Sequence, residues 1–108
     1  MEAHTYKELD ESIYDLLELI RKRPGVLIGE PSIYRLDSML GGCTAGLGRF
    51  RFKLRDGEDF HRFQDWVAWR LGYFESTLGW ADMIREKSAN DEEAFSKFYD
   101  LLDEFRRE

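Results

Sequence analysis

Residues 90–106 read NDEEAFSKFYDLLDEFR, and this stretch decides the fold class. Asn90 is a residue type that caps a helix N-terminus, and Glu93 three positions on can complete a capping box. Asp91 and Glu92 complement the positive end of the helix dipole. Ala94, Phe95, Phe98, Leu101, Leu102 and Phe105 then recur at three- and four-residue steps as far as Arg106. A stripe with that period is one face of an amphipathic helix, and it must be covered by other elements.

The segments upstream repeat the pattern. A short helix over residues 78–87 would bury Met83 and Ile84 together with Trp80, although Trp80 beside Gly79 is also placed to project. Phe60, Phe63, Trp66, Val67 and Leu71 give helical spacing over 59–71, with Gly72 as the C-terminal cap. On that helix Trp66 and Trp69 are expected to share a face with Phe63 and Tyr73. Ser32 is an N-cap for a helix over 32–46 that carries Ile33, Leu36, Met39, Leu40, Cys43 and Leu47 on one side. Gly41-Gly42 inside it costs about 1 kcal/mol per glycine relative to alanine. Either the helix breaks there or another backbone packs close.

The first helix is expected over 5–22, with Tyr6, Leu9, Ile13, Leu16, Leu17 and Ile20 on its apolar face and Pro24-Gly25 ending it. Val26 to Ile28 reads as a short buried extended piece. In residues 49–55 the period changes: Phe50, Phe52 and Leu54 alternate with Arg49, Arg51, Lys53 and Arg55, the pattern of a half-buried strand. Its partner would be residues 26–28 or a second copy of the chain. The whole, residues 1–108, is expected to be a single mainly helical domain: a compact bundle of about five helices with short extended segments at 26–28 and 49–55.

Composition narrows the function classes. The net charge of −6 argues against general nucleic-acid binding, which needs a surplus of cations on one surface, and favours a basic partner. Cys43, the only cysteine, excludes an internal disulfide and a cysteine-based zinc cluster, and fits a reducing compartment. With no signal-like or spanning segment in the sequence, a cytoplasmic protein with no membrane partner is expected. His61 has no second histidine three or four residues away and reads as a surface residue; Cys43 reads as buried and inert. The glycine pairs lack the spacing of a phosphate cradle. No catalytic residue, metal site or cofactor is expected.

The stretch from Arg21 to Gly29, RKRPGVLIG, resembles the Arg-Lys-Arg-Pro-Gly-Met-Tyr-Ile-Gly segment of DNA gyrase B ATPase domains. The likeness ends after nine residues. The Glu and Asn that the family carries on its next helix have no counterpart in residues 32–47, so ATPase activity is not implied. The whole chain resembles a group of small bacterial proteins of the toxin-immunity type through Arg23 to Gly29, Gly79-Trp80 and Asp91 to Ala94. That resemblance implies an immunity protein that neutralises a cognate toxin and brings no assigned functional residues with it.

The expectation is therefore a non-enzymatic binding protein, monomer or homodimer, whose partner is a basic toxin domain. Its candidate contact residues are Glu75, Trp80, Asp82, Asp100, Asp103 and Glu104. The alternative gives the basic stripe Arg49, Arg51, Lys53 and Arg55 the role of holding nucleic-acid phosphates. A nucleotide-binding enzyme using the Arg-Pro-Gly loop has the least support.

Overall fold

Ser12 decides where the first helix begins. Its hydroxyl accepts the Tyr14 N–H at 3.1 Å, and its own N–H reaches the Asp15 carboxylate at 3.4 Å, so α1 (Ile13–Lys22) starts with a reciprocal capping box. The computed structural model of the chain describes residues 5–74 and 77–108. Residues 5–11 are not helical, contrary to the expected 5–22 helix: Lys7–Ser12 forms strand β1. It pairs in parallel with β2 (Phe52–Arg55), Lys7 opposite Phe52 and Ser12 opposite Arg55, with an irregularity between Glu8 and Ser12. Residues 7–12, and neither 26–28 nor a second copy, thus supply the missing strand. The helices between the two strands form the crossover that a parallel pair requires.

Residues 26–28 are not an extended piece either. Pro24–Leu27 make a single helical turn, α2, with Pro24 in the first-turn position that its fixed φ favours. Val26 points to solvent at 79% exposure, and of the three only Ile28 enters the core. Gly29 then takes φ +91°, and the Arg35 guanidinium donates to the Ile28 carbonyl at 3.2 Å. A Cβ on Gly29 would lie 2.7 Å from that guanidinium. The Arg-Pro-Gly-x-x-Ile-Gly segment is therefore a chain reversal locked by Arg35.

Helix α3 (Ile33–Arg49) opens on the Ser32 hydroxyl, which accepts the Arg35 N–H. It runs unbroken through Gly41-Gly42, and a Cβ on either would meet nothing within 4 Å. Neither expected consequence of the glycine pair, a break or a close approach within the chain, is realised. The expected helix over 59–71 is split into α4 (Gly57–His61) and α5 (Phe63–Leu71), with Arg62 at the junction and Gly72 at φ +84° as the cap. Gln64 brackets the start of α6 (Trp80–Glu86): its amide donates to the Leu78 carbonyl at 3.0 Å and its carbonyl accepts the Trp80 N–H at 2.7 Å. Helix α7 (Asp91–Arg106) has the predicted Asn90 cap, while the Glu93 carboxylate reaches past Asn90 to the Ala89 N–H.

The core lies where α1, α3, α5 and α6 meet α7, and Phe63 is at its aromatic centre. Fully buried, its ring stacks on Phe60 and meets Phe98 and Phe105 edge-on, each at 5.4 Å between centroids. The Tyr99 hydroxyl donates to the Leu17 carbonyl at 2.6 Å and pins α7 to α1. Trp66 lies half-buried on Phe63, whereas Trp69 is 70% exposed. Each three-residue step turns a helix by about 60° short of a full turn, so Trp69 has drifted off the face that Phe63 and Val67 define. Trp80 does not project; it is half-buried against Phe98 at 4.9 Å. No helix among the described residues is long and apolar enough to cross a membrane.

Candidate binding groove

The sequence-selected acids are scattered. Asp103 pairs with Arg21 at 3.0 Å and Glu104 with Arg70 at 2.9 Å, and these carboxylates hold both guanidinium groups above their already high ordinary pKa. Asp82 accepts the Tyr34 hydroxyl at 2.9 Å, and Asp100 stands exposed on α7. Glu75 lies outside the described residues. Most of this acidic surface is thus already engaged by the chain's own donors.

The basic stripe is dispersed as well. Arg49 closes α3, Arg51 sits in a left-handed turn at φ +64°, and only Lys53 and Arg55 are on β2. Arg55 donates to the Asp10 carbonyl at 2.9 Å and lies 3.5 Å from Asp56 and 3.9 Å from Asp15. The alternating charges do not form one face because the strand begins three residues later than its period suggested.

A groove of about 980 Å³ opens between α3, the two strands and α4. The apolar part of its lining includes Tyr6, Leu40, Phe52, Leu54, Phe60 and Trp80. Along α3 it meets Asp37, Gly41, Thr44, Ala45 and Gly48, residues three, four and seven positions apart that fall on one helical strip. Its carboxylates are Glu8, Asp37, Asp56, Glu58 and Asp59, against one lysine, Lys53, and one histidine, His61.

Two of those acids hold the scaffold together. Asp56 accepts the Ser12 hydroxyl at 2.6 Å, and Asp59 accepts the Tyr14 hydroxyl at 2.6 Å and the Arg62 guanidinium at 2.7 Å. Burial, with the Asp59 bond second, pushes the Tyr14 hydroxyl well above its ordinary pKa. The Glu8, Asp37 and Glu58 side chains make no hydrogen bond or ion pair among the described residues. Burial raises the Asp37 carboxyl above the usual carboxylate range, and the Asp82 carboxylate adds to that shift.

His61 lines the groove and is exposed; Cys43 is half-buried on α3 and does not line it, so the two do not meet there. Among the described residues no three His, Cys, Asp or Glu side chains gather as a metal site would need. A smaller hollow of about 320 Å³ beside Ile28 and Arg35 belongs to the Arg-Pro-Gly reversal, where Arg35 already holds the Ile28 carbonyl and Glu30. Sequence reasoning passed over Glu8, Asp37 and Glu58. The signal that marks Asp37 is its place one turn before Gly41 on the strip leading to Gly48, visible only once the helix is known to run through its glycines.

No family model, curated protein or solved structure matches the chain.

Proposed function

We propose that this chain is a non-enzymatic binding protein of the immunity type, which neutralises a basic bacterial toxin domain in the cytoplasm by protein–protein contact. The observation that carries the reading is the groove: open, partly apolar, and lined by five carboxylates against a single lysine, with the Glu8, Asp37 and Glu58 side chains in no hydrogen bond or ion pair among the described residues. A surface of that kind favours a partner with Lys and Arg around an apolar contact, and complementary fields accelerate its encounter. The net charge of −6 adds to the attraction at long range. Trp80 lines the groove and packs on Phe98, and the Asp100 carboxylate on α7 remains available as a second, peripheral contact. No observation favours the nucleic-acid reading, because the four cations it needs are not on one face.

The test is co-expression with the product of the gene next to this one. Rescue of growth, with a stoichiometric complex whose association slows as salt rises, is the expected result. A neighbouring product that is not toxic, or that forms no complex with this chain, overturns the reading.

A further inference from the structure

The groove has a property that the fold itself does not require. Glycine inside a helix costs about 0.5–1 kcal/mol relative to alanine. Gly41 and Gly48 both lie in α3, yet a Cβ on either would enter open space, with nothing within 4 Å, and neither has a positive φ. The chain thus forgoes helix stability at four positions of α3 where alanine would fit, Gly41, Gly42, Gly46 and Gly48, and two of them, Gly41 and Gly48, open on the groove. With Thr44 and Ala45 between them they leave a flat strip two turns long, about 10 Å at 1.5 Å per residue.

On the reading that the groove receives a basic protein partner, we propose that the partner enters as an amphipathic helix, its small and apolar side chains on this glycine strip and its Lys or Arg side chains on Asp37, Glu58 and Glu8. A strip of glycines and small side chains lets a second helix approach at the short end of the usual 8–10 Å interaxial range. A helix also satisfies its own backbone hydrogen bonds before it enters an apolar groove, which an extended segment does not. The charges fit the same occupant. Asp37 stands one turn before Gly41 on the strip, Glu8 and Glu58 face the groove from β1 and α4, and all three lack partners.

The probe is a labelled peptide of about 15 residues, long enough to hold a helix, built from Leu, Ala and Lys with helical period. Its control has the same composition in strict alternation, the period of a strand. The intact chain is expected to bind the helical peptide, with Gly41→Leu and Gly48→Leu each weakening it at least about tenfold. Gly42→Leu, on the part of α3 that does not line the groove, should leave the affinity unchanged. Circular dichroism and a thermal melt confirm folding, with Gly41→Gln as the substitute if the leucine variant aggregates. Equal binding of the alternating peptide, no binding of either, or an affinity indifferent to Gly41 and Gly48 overturns the proposal. So does a concentration-dependent dimer that both leucine variants abolish, which would place a second copy in the groove. Loss of toxin binding in Glu58→Lys without any effect of the glycine variants would keep the acidic-groove function and reject the helix.

Discussion

The Ser12 hydroxyl donates to the Asp56 carboxylate at 2.6 Å while it accepts the Tyr14 N–H, so one buried oxygen both caps α1 and fixes the left-handed turn from which α4 departs. The two strands, α1 and one side of the groove are registered to each other through this contact.

Ser12→Ala should therefore cost about 1–2 kcal/mol, the value of a lost N-cap hydroxyl whose buried partners are left unpaired. Urea denaturation measures it. Hydrogen exchange should show residues 7–11 losing protection before α7 does, because among the described residues β1 has no neighbouring strand but β2. Uniform loss across the chain would mean that the contact does not register the strands.

Gly42→Ala should stabilise the protein by about 0.5–1 kcal/mol, since the helix is continuous there and the added methyl meets nothing. A domain of this size translates that into a Tm rise of roughly 2–8 °C. A lower Tm would reveal a packing constraint at Gly42.

Asp37 gives a pH dependence with a definite sign. Its folded-state pKa is raised, so the folded chain binds that proton more tightly than the unfolded chain, and the associated stability is lost as pH rises through the raised value. Asp37→Asn is expected to melt higher than the parent at about pH 7 and to show no advantage at about pH 3, where both states of the parent are protonated. Partner binding should run the other way, weakening on acidification as the carboxylate that holds a cation is neutralised. An Asn variant with the same Tm difference at both pH values would remove Asp37 as the source.

The aromatic residues divide sharply. Phe63→Ala removes the ring on which Phe60, Phe98 and Phe105 converge and should cost about 3–5 kcal/mol, a large share of the stability of a small domain. Trp69→Ala, at an exposed position, should change stability by less than about 0.5 kcal/mol. Intrinsic fluorescence during thermal melts separates the two, and a large loss at Trp69 would contradict its placement.

The features legible in the sequence are those whose causes lie within a few residues of each other. The Asn90 cap, Ser32 before Ile33, Gly72 after Leu71 and the stripe from Ala94 to Phe105 are local hydrogen bonds and helical periods, and the structure places them as read, except that the Glu93 carboxylate bonds the Ala89 N–H rather than closing a capping box on Asn90. What tertiary contacts alone decided is the rest. Tyr6 and Leu9 keep step with Ile13 at helical spacing, yet residues 7–12 became a strand because residues 52–55 were there to pair with and Ser12 found Asp56 across 44 residues. The groove, too, exists only through the approach of α3, α4 and the strands. The sequence displayed the glycines and the acids of that groove, but their being together is a matter of long-range packing, which short-range periodicity does not encode.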